Sequence, residues 1–183
     1  TIKTYLESLE RLPIDYIEIG YRNPTQSSYY GEYYFLPKKT LDFIRAHSSK
    51  PLAIILNEKD IHSALLSELL DPCRGIIELV RLAIDPKNYH RALELATLIK
   101  EMGFKVAFNM MYMSKWNEYK GLMHGLQELE GNVDYLYMVD SYGGVFPDEV
   151  RSTIRYIRSK TKVKIGFHGH NNLELALINT LTA

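Results

Sequence analysis

The chain has one cysteine, Cys73, among 183 residues. No intrachain disulfide can form, so the fold must rest on its apolar core, and a reducing, cytoplasmic setting is expected. It has no surplus of charge either: Lys plus Arg and Asp plus Glu each total 22. A zero balance offers nothing to nucleic acid or to an anionic membrane. No apolar run is long enough to span a bilayer, and none with a basic flank reads as a signal peptide. Several reaction types are missing their residues. There is no Gly-x-Ser-x-Gly elbow, no Gly-x-x-x-x-Gly-Lys phosphate loop and no paired Cys-x-x-Cys.

What is present reads as one globular domain over residues 1–183, with 46% hydrophobic and 24% charged residues. Ile2, Tyr5, Leu6, Leu9 and Leu12 have helical spacing, and Pro13 ends that helix. Tyr16–Gly20 is a short apolar strand, followed by a long loop. The rest alternates. Helices are expected over Pro37–Ala46, Ile61–Leu70, Tyr89–Gly103, Trp116–Leu129, from Pro147 through Ile157, and from Leu173 onward. Strands are expected over Leu52–Leu56, Gly75–Ile84, Lys105–Tyr112, Tyr135–Val139 and Val163–Phe167.

Strict alternation with strands buried on both faces implies a parallel sheet with right-handed crossovers. Roughly six strands occur, and the first is not followed by a glycine-rich dinucleotide fingerprint. The expected fold class is α/β, a TIM (β/α)8 barrel present as a fragment that lacks its first and last strands.

In such a barrel the chemistry lies at the C-terminal strand ends. There the sequence places Glu18 and Arg22, then Arg81, Asn109, Asp140 and Ser141. His168-Gly169-His170-Asn171-Asn172 closes the last strand. Residues two apart share a strand face, so His168 and His170 project together, with Asn172 beyond them if the strand continues. Two adjacent imidazoles form half a site for a divalent metal. The glycines of Asp140-Ser141-Tyr142-Gly143-Gly144 mark a tight turn that brings backbone close to a ligand or a neighbouring strand. The loop Tyr21–Leu36 holds Tyr29, Tyr30, Tyr33, Tyr34 and Phe35, which suit either a lid or packing on the barrel itself. Cys73 precedes a strand, at the wrong end for a nucleophile. His47, His62, His90 and His124 are assigned to helices, as surface residues.

Gly166-Phe167-His168-Gly169-His170-Asn171-Asn172-Leu173, continuing to Asn179, resembles the second metal motif of the metal-dependent pyruvate aldolases of the 4-hydroxy-2-oxovalerate aldolase type. Their superfamily includes isopropylmalate synthase, homocitrate synthase and hydroxymethylglutaryl-CoA lyase. Met138-Val139-Asp140-Ser141-Tyr142-Gly143-Gly144 is similar to the Asp-Ser-Gly-Gly turn of these aldolases. The segments Arg81-Leu82-Ala83 and Phe108-Asn109-Met110-Met111 fall where they have similar ones.

The resemblance implies a lyase that cleaves a 4-hydroxy-2-oxo acid to pyruvate and an aldehyde. His168 and His170 would hold Mn²⁺ or Mg²⁺, and Arg81, Asn109, Asp140 and Ser141 would bind the 2-oxo acid. The family's third metal ligand, an aspartate, and its catalytic histidine lie near the first barrel strand, a segment expected before Thr1. No catalytic residue is assigned here for that reason. Two alternatives stay open: a Claisen-type synthase joining an acyl-CoA to a 2-oxo acid, and a catalytically silent barrel. Exposed strand edges also allow pairing with another copy.

Overall fold

The computed structural model describes residues 1–183. It contains six strands whose sheet order follows the chain order. Residues Thr1–Arg81 and Leu82–Ala183 form two compact units.

In the first unit, helix α1 (Ile2–Glu10) is capped by Thr1, whose hydroxyl accepts the Thr4 N–H at 3.3 Å. Strand β1 (Ile17–Tyr21) pairs in parallel with β2 (Leu52–Asn57), Ile17 opposite Leu52 and Glu18 opposite Ala53. The register slips between Glu18 and Tyr21. Gly20 explains the slip: it has φ +143°, and a Cβ there would stand 2.4 Å from the Tyr33 carbonyl oxygen.

The aromatic loop therefore packs on its own strand. It contains a short helix, α2 (Glu32–Phe35), and a tyrosine cluster in which Tyr30–Tyr34 and Tyr34–Phe35 centroids are both 5.0 Å apart. Tyr29 and Tyr30 are left 80% and 58% exposed. Arg22 ties this loop down: Nε donates to the Leu69 carbonyl at 2.8 Å and Nη1 to that of Phe35 at 2.7 Å.

Helix α3 (Lys38–His47) buries Leu41 and Ile44. Strand β2 is buried over its first five residues, as expected of a strand covered on both faces. The helix expected over Ile61–Leu70 is shorter: a 3-10 turn at Ser63–Leu65 leads into α4 (Leu66–Leu70). His62 is thus an exposed loop residue before that turn. Cys73 is fully buried, and desolvation pushes its thiol up to about 11. Strand β3 (Leu79–Ile84) crosses from the first unit into the second.

In the second unit, α5 (Tyr89–Glu101) is followed by strand β4 (Lys105–Met110), β5 (Tyr135–Asp140) and β6 (Lys164–Gly169), all paired in parallel. Asn109 lies opposite Tyr137, Tyr137 opposite Gly166, and Val139 opposite His168. One face therefore carries Asn109, Tyr137, Val139 and His168. The other carries Phe108, Leu136, Met138 and Asp140, each at most 1% exposed.

Further expectations are corrected, among them the strand expected over Gly75–Ile84, which begins at Leu79. Strand β4 ends at Met110 rather than Tyr112, because Tyr112 turns into a left-handed conformation with φ 56°. The single helix expected over Trp116–Leu129 is broken into a 3-10 segment (Met113–Glu118), α6 (Lys120–Gly125) and another 3-10 segment (Leu126–Leu129). Two glycines weaken helical continuity there. Trp116 also spends its indole N–H on the Met111 carbonyl at 2.8 Å, which draws that end of the segment against the strand exit. Helix α7 (Pro147–Arg158) begins with proline at its first position, and α8 (Ala176–Thr182) starts three residues later than Leu173.

Candidate metal centre

His168 is the fifth residue of β6 and His170 follows the strand directly. Their ring centroids are 5.1 Å apart at an interplanar angle of 79°. Both side chains are exposed. Strand parity thus brings the two imidazoles together, as the spacing implies.

His170 is oriented from outside the pair. Its Nδ1 lies 2.9 Å from the Ser141 carbonyl oxygen. A carbonyl only accepts, so Nδ1 carries the proton and the Nε2 lone pair is left available. Metal-binding histidines are commonly held in this way.

The turn after β5 supplies that carbonyl, and it is built by Asp140. The Asp140 carboxylate accepts the Gly144 N–H at 3.2 Å and the Val145 N–H at 3.1 Å. It is 1% exposed and lies on the sheet face opposite His168. The structure therefore separates Asp140 from the histidine face and gives it the work of closing the turn. Ser141 faces the other way: its Oγ accepts the Tyr112 N–H at 2.9 Å, which leaves its hydroxyl proton to donate.

Gly143 is the contact point between the turn and the histidine segment. It has φ +62°, and a Cβ there would lie 2.7 Å from Asn172 N and 2.9 Å from His170 O. The glycine signal in the sequence thus marks close approach to a neighbouring strand end. Asn172 does not extend the histidine face: its amide donates to the Tyr142 carbonyl at 2.7 Å. Asn171 Oδ1 accepts the Ala176 N–H at 3.1 Å, at the start of α8.

Asn109 shares the face of His168 and is 6% exposed. Arg81 belongs to the first unit, where its guanidinium pairs with Glu18. No group of three or more His, Cys, Asp or Glu side chains is gathered to hold a metal. The two histidines are thus two candidate ligands, short of a complete set. Sequence reasoning missed Tyr112, since left-handed backbone at a tyrosine has no sequence signature.

Comparisons with known proteins place these parallel strands in a family of known fold. Residues 79–183 match the HMGL-like family, and the chain belongs to that family. Among its relatives, a 4-hydroxy-2-oxovalerate aldolase of Pelotomaculum thermopropionicum is 30% identical over 96% of this chain and 52% of its own length. One from Geobacillus thermodenitrificans is 36% identical over 60% of this chain and 32% of its own. The chain spans about half the length of the curated relatives that match it throughout.

Among solved structures, the N-terminal domain of a candidate aldolase from Bacteroides vulgatus superposes with a TM-score of 0.97 at 45% identity. That match covers 100% of this chain and 61% of the other. The carboxyl transferase domain of Rhizobium etli pyruvate carboxylase, with pyruvate and biocytin, gives a TM-score of 0.68 at 20% identity over 80% of this chain and 27% of that one, a likeness of fold. The partial TIM-barrel assignment is shown by these matches.

Proposed function

We propose that the chain is the metal-binding part of a divalent-metal-dependent aldolase that cleaves a 4-hydroxy-2-oxo acid to pyruvate and an aldehyde. The observation that carries this reading is the His168–His170 pair, with His170 oriented by the Ser141 carbonyl so that its outer nitrogen stays free. The names of the aligned relatives support it.

In the reaction the 4-hydroxyl loses its proton to a base, the C3–C4 bond breaks, and its electron pair becomes the enolate of pyruvate, later protonated at C3. His168 and His170 would hold Mn²⁺ or Mg²⁺, which would supply Lewis acidity for the charge that develops on the 2-keto oxygen. The protein's own residues position the reactants. His168 and His170 offer imidazole side chains as ligands. Ser141 keeps a hydroxyl proton to donate to the substrate carboxylate. Asn109 presents an amide on the face of His168, and Asp140 acts through the turn it closes. Arg81 keeps the Glu18 carboxylate fixed in the first unit. The base and the third metal ligand are assigned to no residue of Thr1–Ala183.

The chain's one cysteine is buried, and no helix is long and apolar enough to cross a membrane. A reducing, cytoplasmic setting is part of the proposal.

The test is pyruvate release from 4-hydroxy-2-oxo acids by the full-length protein, with and without Mn²⁺. His168→Ala and His170→Ala should each abolish metal-dependent turnover and Mn²⁺ binding measured by calorimetry. Undiminished turnover in both variants rejects the site.

A further inference from the structure

Tyr112 is a strained residue beside the candidate site. Its φ of 56° is a left-handed conformation that is sterically unfavourable for a residue with a side chain. Glycine would adopt it freely, yet a tyrosine stands there. Strain of this kind collects where it serves a site. Ser141 holds the conformation: its Oγ accepts the Tyr112 N–H, while its carbonyl accepts His170 Nδ1, both at 2.9 Å. One residue therefore links the strained backbone to the oriented imidazole.

The strained turn brings the Tyr112 ring against Tyr142, with centroids 5.6 Å apart and an interplanar angle of 31°. Lys115 Nζ lies 5.4 Å from the Tyr142 ring centroid. Tyr142 is 48% exposed, so much of its surface is open to a ligand. The Lys115 pKa is raised, foremost by its hydrogen bond to Tyr142 and less by Glu118, which keeps the ammonium charged over a wide pH range. Tyr112 and Tyr142 follow β4 and β5, the strand ends that also carry Asn109 and Ser141.

We propose that Tyr112, Tyr142 and Lys115 form a specificity wall that selects a 4-hydroxy-2-oxo acid whose aldehyde half ends in a carboxylate. The inference rests on the aldolase reading above and names the substrate class within it. Lys115 pairs with the distal carboxylate while the methylene chain lies along the phenol rings. A short neutral aldehyde half offers the Lys115 ammonium no charge to pair with.

The experiment has a binding arm and a kinetic arm, both on the full-length protein. Butyrate stands for the acidic aldehyde half, and butyramide is its neutral match in size. Butyrate should shift tyrosine ring resonances saturably in NMR titration, and butyramide should not. Lys115→Met should weaken butyrate about tenfold, the loss of one hydrogen bond to a charged group. Tyr112→Gly should weaken it likewise while the melting temperature holds or rises, because glycine relieves the left-handed strain; a purely structural tyrosine would instead lower it. In the kinetic arm, Lys115→Met should raise KM for 4-hydroxy-2-oxoheptanedioate and leave kcat, and both constants for 4-hydroxy-2-oxopentanoate, unchanged.

If butyrate binds with these responses but neither acid is cleaved, the aldolase reading fails and the anion-selecting wall stands. If the acids are cleaved and Lys115→Met treats them alike, the wall is overturned and the aldolase reading survives. Failure of butyrate to bind, or equal binding of butyramide, also overturns it.

Discussion

Gly143 and Gly144 adjoin in sequence, yet only one of them is under steric constraint. At Gly143 a positive φ coincides with backbone atoms of the histidine segment inside van der Waals distance of any added Cβ, whereas at Gly144 nothing lies within 4 Å. Gly143→Ala is therefore expected to destabilise by about 2 kcal/mol, combining left-handed strain with overlap against rigid backbone. Gly144→Ala should stay within about 0.5 kcal/mol of the parent. Urea unfolding of both variants checks this, and equal effects would refute the close approach. Asp140 gives a second residue-scale lesson. Its position in an Asp-Ser turn made it a candidate for substrate contact, but a period-two strand aims it away from His168, where backbone N–H groups occupy its carboxylate.

Among the elements, the strands were more legible than the helices. Apolar runs such as Leu52–Leu56 and Tyr135–Val139 match β2 and β5 within a residue at either end. A strand buried on both faces announces itself by composition alone. The stretch from Trp116 to Leu129 did not, because its helical spacing is overridden by neighbours distant in sequence. Tyr89 is one of them: its hydroxyl donates to the Gly125 carbonyl at 2.6 Å, and its ring stands 2.6 Å from where a Gly125 Cβ would lie. Burial of that hydroxyl also raises its pKa. Tyr89→Phe should lower stability by about 1 kcal/mol, the value of the lost hydrogen bond with a buried carbonyl left behind. Unchanged chemical denaturation would show that ring packing alone holds the end of α6.

For the molecule entire, Cys73 reports on opening. Its side chain is fully buried and its thiol is pushed up to about 11, so neither access nor thiolate is available in the folded state at neutral pH. An aromatic disulfide reagent at pH 8 should leave the native protein unlabelled and react with one thiol per chain after denaturation. Fast labelling of the native protein would mean that the core opens locally around Cys73. Family membership is likewise a property of the whole pattern: residues 79–183 carry the match, and the histidine motif lies at its end.

The parallel α/β architecture, the pairing of His168 with His170 and the glycine-bearing turn before them were all legible from residue order, because each follows from a local period or a local backbone demand. Contacts across the chain were not legible. The Ser141 carbonyl that orients His170, the hydroxyl that holds Tyr112 left-handed and the stacking of Tyr112 on Tyr142 join residues about thirty positions apart. A period describes which way a side chain leaves its own strand; which atom of another strand end meets it is settled when the strands pair in register.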